Sequence, residues 1–358
     1  MSQTRITGVA TQVAVARTGV AKAMATGVVA QVAVSGPSVA KAMATGIVVQ
    51  VLIATSSVTS PSEGFAMLPG RIGLYLWAYQ TPVVPPVVPP GSQPLFGTRP
   101  IHEGQLVVTG DGNIIENLFF KDMPYQFDGT NGHVGILLNG ATNTTIRNCD
   151  FQNMSEPIVV WGGGQVLIED NRCDGITGPS VRHNVQTGNF VQTVEAPTFV
   201  TIRRNKIKGG DTEDIISLWS ASDSLVEDNQ IDGTGWSSLS GTGIILGDGT
   251  GHRNVARDNT LYNPGQVGVC IAGGWDHTVE NNVIYQEAGH PGANIAAYCY
   301  DYSNTTPPMS GHAFIGNRAY YQKEDGSLNG FWNPGGADNV GNNWEDATID
   351  PADLRVVL

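Results

Sequence analysis

Four aspartates stand where neighbouring repeats would bring carboxyl groups together: Asp214, Asp223, Asp248 and Asp276. A carboxyl pair is the chemistry of glycoside hydrolysis, at separations of about 5–5.5 Å for retention or about 6.5–9.5 Å for inversion. Asp211, Glu213 and Asp214 cluster just before IISLW (215–219), and Asp248 ends GIILGD (243–248) on the following repeat. Stacked strands lie about 4.8 Å apart, which puts both separations within reach. Acids are abundant here, however, and most keep a glycine-rich surface hydrated. No catalytic residue is assigned from the sequence alone.

Other chemistries find less support. A polysaccharide lyase needs a Lys or Arg base and often calcium. The body offers Arg203, Arg204, Lys206, Lys208, Arg253 and Arg257, without an Asp-rich calcium loop. Arg203 and Arg204 read as solvated structural charge. His183, His252, His277, His290 and His312 have no metal-ligand spacing. The four cysteines form no C-x-x-C pair and read as buried small hydrophobes, with disulfides the minority alternative. GDGTGHR (247–253) and GQVGVCIAGG (265–274) lack the strand–loop–helix setting of a phosphate cradle. Neither a metal nor a cofactor is expected. The formal charge of −13 disfavours a nucleic-acid partner, and no apolar run is long enough for a membrane span.

The elements that must position these residues are written as repeats. Every Asn, His and Cys of the 358-residue chain lies after residue 100. Residues 1–100 carry a charge of +5 and residues 101–358 a charge of −18. In residues 1–55, GVATQVAV (8–15) returns as GVVAQVAV (27–34) and GIVVQVLI (46–53), with VAKAMAT at 20–26 and 39–45. Their period-two alternation predicts two short strands per 19-residue repeat. The Ala/Val face is too thin for a monomeric core, so an oligomeric or docked state is expected. Residues 56–100 form a connector in which TPVVPPVVPP (81–90) predicts a polyproline II spacer. An aromatic cluster, Leu74 to Tyr79, precedes it as a plug or a contact surface.

From residue 101 to 345 a second repeat takes over, in segments such as TIRNCDF (145–151), LIEDNRCDG (167–175), TIRRNKIKG (201–209) and LVEDNQIDG (225–233). Its aligned asparagines are Asn148, Asn171, Asn205, Asn229, Asn259, Asn282 and Asn317, at intervals of 23, 34, 24, 30, 23 and 35 residues. A looser copy begins at Asn113, and Asn343 is a candidate to close the series. A fixed minimum with longer insertions is solenoid behaviour. Apolar residues before and after each Asn (Ile146, Ile168, Ile202, Val226 and Val279; Cys173, Ile207, Ile231, Leu261 and Ile284) point inward. Each Asn is expected in a sharp, left-handed turn, its amide bonding to the next in a ladder. Residues 346–358 are a C-terminal tail.

This body resembles the right-handed parallel β-helix of pectate-lyase-like proteins and phage tailspikes, and the N-terminal repeats are similar to those of some phage structural proteins. The resemblance implies an all-β chain: a β-strand anchor, a proline-rich stalk and a β-helix that meets host glycan on its lateral face. Counting back from the inward residues gives two columns there, Trp161, Glu195, Trp219, Gly249 and Ala272, and Gln165, Phe199, Asp223, Arg253 and Asp276. Trp161, Trp219 and Trp275 would stack on sugar rings while Asp223 and Asp276 bond hydroxyls; a Trp that fills the core is the competing reading. The implied role is a virion spike, a homo-oligomer and by preference a trimer, docked to other virion proteins through residues 1–55. A polysaccharide depolymerase, a decoration protein without a glycan role and a secreted carbohydrate-active enzyme are the alternatives.

Overall fold

The computed structural model describes strand backbone at 2–7, 13–16, 21–26, 29–36, 40–45 and 48–55. Beyond these it describes 94–123, 134–176, 188–210, 212–233, 241–302, 304 and 308–358. The spacer at 81–90, the aromatic cluster at 74–79 and His183 lie outside the described residues. The chain divides into two units, Met1–Gln93 and Pro94–Leu358.

In the first unit, Ser2–Thr7, Ala21–Thr26 and Ala40–Thr45 form one parallel three-stranded sheet, and Val13–Ala16, Val29–Gly36 and Val48–Thr55 form another. Ala21 pairs with Ala40 and Val32 with Val51, so one repeat makes one step of each sheet.

The second unit is a coil of three parallel sheets, a right-handed parallel β-helix. The first sheet has nine strands from Leu106–Val108 to Phe331–Trp332. The second has nine from Ile114–Glu116 to Asp338–Val340, and the third eight from Phe119–Met123 to Arg318–Tyr321. Each inward position stacks on its equivalent one coil away. Ile146, Ile168, Ile202, Val226, Ala256, Val279 and Phe314 make one fully buried column; Phe151, Cys173, Ile207, Ile231, Leu261, Ile284 and Ala319 make another. Burying one such Ile is worth about 1.5–3 kcal/mol, and its repetition makes the core continuous. The four cysteines are buried and unpaired.

Both ends of the body are tied down. Residues 94–100, which composition places in the connector, pack on the first coils. Buried Asp150 accepts from Gly97 N (2.9 Å), from Arg99 and from Arg172 Nε (2.8 Å), while Arg172 reaches the Pro94 carbonyl (2.9 Å). At the other end, the 3₁₀ turn Pro351–Leu354, capped by Asp350, seats Leu354 and Ile349 against Tyr262 on the outer face of the third sheet. Arg355 then pairs with Asp232 at 3.0 Å and lies over the Tyr262 ring at 4.5 Å.

Candidate functional site

The turn between the second and third sheets holds the asparagine ladder. Asn171 Nδ2 donates to Asn205 Oδ1 at 3.0 Å, and the same bond repeats from Asn205 to Asn229, Asn229 to Asn259, Asn259 to Asn282, Asn282 to Asn317 and Asn317 to Asn342. Each Oδ1 also accepts the backbone N–H one coil back, as Asn205 does from Asn171 N at 3.0 Å. Two details correct the sequence expectation. Asn148 is outside the ladder: its place on that coil is taken by Cys149, whose N–H meets Asn171 Oδ1 at 2.9 Å. The series closes at Asn342, since Asn343 is one residue too far. The left-handed residue is the one before each ladder Asn, with φ of 51° at Asn148, 56° at Asp170, 52° at Arg204 and 53° at Asn281. The ladder Asn works by its amide, and its neighbour makes the corner.

A shorter ladder precedes the second sheet. Ser224 N donates to Asn254 Oδ1, Asn254 N to His277 Nδ1 and His277 N to His312 Nδ1, each at 3.1 Å. The two imidazoles stack with centroids 5.2 Å apart. Burial pushes His277 down to about 3 and His312 to about 4, so both are neutral.

The four aspartates separate into two groups. Asp223 and Asp276 occupy left-handed corners, with φ of 55° and 57°, beside the second sheet. Asp223 is held by Arg253 at 2.6 and 2.8 Å, and the Asp276 carboxylate lies against Gly311. Asp214 and Asp248 instead meet in a cleft of about 580 Å³ over the outer face of the first sheet. Asp214 opens its strand and pairs with Thr242, which pairs with Val267 and then with Ile295 to make the column beneath the cleft. Asp248 projects from a loop between Gly247 (φ 69°) and Gly249 (φ 106°). A Cβ on Gly249 would run into the Trp219 indole and Ser220 Oγ, so only glycine lets this loop lie so close.

The cleft holds three carboxyl groups, Glu213, Asp214 and Asp248. Burial raises Asp214 to about 8, reinforced by the charges of Glu213 and Asp248 and opposed by hydrogen bonds from Thr242. Asp214 therefore keeps its proton at neutral pH, beside a second carboxyl one coil away. A carboxyl that keeps its proton at neutral pH is chemically able to act as a proton donor.

The opposite wall is aromatic and was not anticipated. Ile245, Cys270, Tyr298 and Trp332 occupy one register column on successive coils. Tyr298 stands edge-on to Trp332 (6.4 Å) and to Tyr302 (5.6 Å), and Tyr300 stacks on Trp332 (5.1 Å, 21° between planes). Tyr302 is 57% and Trp332 47% exposed. The available signal was Tyr298, Tyr300 and Tyr302 at alternate positions of AAYCYDY (296–302).

The three expected tryptophans lie elsewhere. Trp161 (47% exposed) and Trp219 share an edge column of the first sheet two coils apart, outside the cleft lining, with Val194 between them. Glu195 and Gly249 drop out of that column because loop insertions shift the count. Trp275 belongs to the corner before the second sheet, where its indole N–H donates to the Pro308 carbonyl at 3.3 Å. Arg203 and Arg204 hold Glu169 at 2.8 and 2.6 Å, and Arg257 holds Glu227 at 2.6 Å. Lys208 is exposed, and the Lys206 ammonium donates to the Val357 carbonyl.

The model of the family described as "Periplasmic copper-binding protein (NosD)" matches residues 103–348. No curated protein matches the chain. Among solved structures, the chain is similar to the tailspike protein of Acinetobacter baumannii phage AM24. Identity is 13% over 66% of this chain and 40% of that one, with a TM-score of 0.43. It is also similar to the Dettilon tailspike protein gp208, at 15% identity over 95% of this chain and 60% of that one (TM-score 0.39). A mutant of the periplasmic alginate epimerase AlgG is 12% identical over 91% of this chain and 77% of that one (TM-score 0.44). The chain thus spans 40% and 60% of the lengths of the two tailspikes.

Proposed function

The chain belongs to the family described as periplasmic copper-binding protein (NosD), and we propose that its β-helix body is a saccharide-binding module whose site is the cleft over the first sheet. One observation carries the reading: exposed rings of Tyr302 and Trp332 face carboxyl and amide side chains across one groove. A pyranose presents apolar C–H faces and a rim of hydroxyls, which is the complement of such a groove. The groove reaches from the strand of Asp214 to that of Trp332, four strand spacings or about 19 Å, long enough for an oligosaccharide. In the same proposal the body is the outward part of a virion spike, a trimer attached through residues 1–55. Purified protein applied to an array of bacterial surface polysaccharides is expected to bind a defined set, and Trp332→Ala to bind that set about tenfold more weakly. Binding that is unchanged in Trp332→Ala would remove the cleft from the reading. Deleting residues 1–55 is expected to abolish incorporation into particles, and normal incorporation would sink the attachment role.

A second reading, hydrolysis at the same cleft, is favoured by the proton that Asp214 retains. Asp214 would donate it to the glycosidic oxygen as the C–O bond breaks, while Asp248 takes a proton from the attacking water or adds to the anomeric carbon itself. Oligosaccharide release that disappears in Asp214→Asn would establish this activity, whereas binding without release would leave a pure adhesin.

The family description names copper, and the donors present do not fit that ion. Among the described residues no group of three or more His, Cys, Asp or Glu side chains is placed to hold a metal ion. His277 and His312 already use Nδ1 as acceptors of backbone N–H groups, and burial raises the buried thiols of Cys149 and Cys299 to about 11 and 12.

A further inference from the structure

We propose that the cleft takes saccharide chains free of carboxylate, sulfate and phosphate groups, and that it turns anionic glycans away. This rests on the saccharide reading above and adds the class of ligand. The acidic side chains along the groove are Glu213, Asp214 and Asp248, and among the described residues no Lys or Arg lines it. The remaining polar lining is neutral, Thr242, Gln266, Asn294 and Asn329, suited to hydroxyl and amide groups.

Most of the described arginines of the body are held elsewhere. Arg172 is held on Asp150, Arg204 on Glu169 and Asp170, Arg318 on Asp346 and Arg355 on Asp232, each at 3.0 Å or less. Arg253 and Arg257 face Asp223 and Glu227 in the same way. A uronate or sulfated chain brings one charge per sugar or so and normally meets a fork of Arg or Lys. Here it would meet carboxyl groups, in a body that carries −18 over residues 101–358. An uncharged chain suffers no such repulsion, and it gains the ring contacts of Tyr298, Tyr302 and Trp332.

The test uses the full-length protein in low salt, with the array followed by calorimetry on matched probes. One pair is polygalacturonate and its fully methyl-esterified form; the other is hyaluronan and its carboxyl-reduced form. Neutral glycans are expected among the array binders, and each masked or reduced probe is expected to bind at least tenfold more tightly than its anionic parent. The double variant Glu213→Gln/Asp248→Asn, checked for an unchanged melting temperature, is expected to narrow that gap for the anionic parent. Binding that depends on the glycan's carboxylates, and is lost when they are masked, would overturn the ligand class while leaving the saccharide site standing. Absence of binding to every glycan on the array would overturn both.

Discussion

The outer faces of the first and second sheets are built on the same coil and treat charge in opposite ways. On the second sheet one register column reads Glu116, Arg147, Glu169, Arg203, Glu227, Arg257 and Glu280, alternating in sign from coil to coil. Each of the five inner charges lies between opposite ones about 4.8 Å away, with ion pairs of 2.6 Å at Arg147–Glu116, 2.8 Å at Arg203–Glu169 and 2.6 Å at Arg257–Glu227. On the first sheet, Glu213, Asp214 and Asp248 share a groove with no lining cation among the described residues. The first arrangement satisfies itself and fixes which coil lies beside which, because a slip of one coil would set like charges face to face. The second keeps carboxyl groups at a cost in stability, in keeping with the saccharide site proposed there.

The contrast can be broken at its strongest point first. Glu169 is 1% exposed and holds both Arg203 and Arg204. Glu169→Ala leaves a nearly buried guanidinium uncompensated, and should cost about 3–5 kcal/mol by denaturant unfolding. Asp214→Asn should act in the other direction. The Asp214 pKa is about 8 in the folded protein against 3.8 unfolded, so the unfolded chain releases this proton first as pH rises. Stability therefore falls between about pH 4 and pH 8 on account of this residue. The Asn variant should be more stable than the wild type by on the order of 1–3 kcal/mol at pH 8, with the difference vanishing near pH 4. A flat difference across that range would remove Asp214 from the groove's electrostatics.

Smaller effects sharpen the comparison. Trp332→Ala should weaken saccharide binding about tenfold, roughly 1.4 kcal/mol, with the melting temperature nearly unmoved, measured by calorimetry in parallel with thermal unfolding. Arg147→Ala removes a part-exposed rung, with 30% and 40% of the paired side chains in solvent. It should cost only about 0.2–1 kcal/mol, less at high salt.

Much of the scaffold was legible in the sequence because a solenoid repeats its own constraints. The inward residues, the ladder from Asn171 to Asn317 and the strand that Asp214 opens follow from a motif with a short, nearly constant core, whereas Asp248, expected to end a strand, lies in the loop that follows Thr242–Leu246. The failures have physical reasons. Asn148 aligns by type, yet register with Ile146 puts Cys149 at the ladder position, where a backbone N–H serves as the donor. The aromatic wall was missed because Trp332 meets Tyr298 across a 34-residue loop-bearing interval, and only strand pairing fixes that register. Asp223 and Asp276, set on the lateral face by counting back from the inward residues, occupy left-handed backbone corners outside the cleft lining, a placement that only the three-dimensional register reveals.

The asparagine ladder also bears on how such a chain is assembled. A completed coil presents side-chain amides and backbone edges as a finished step, and the next coil acquires its place by meeting them. Growth then resembles the advance of a crystal face: costly to start, cheap to extend and intolerant of a missing row. A single wrong residue at Asn229, midway along, would stall the front, so its most visible effect should be on the yield of folded protein during synthesis.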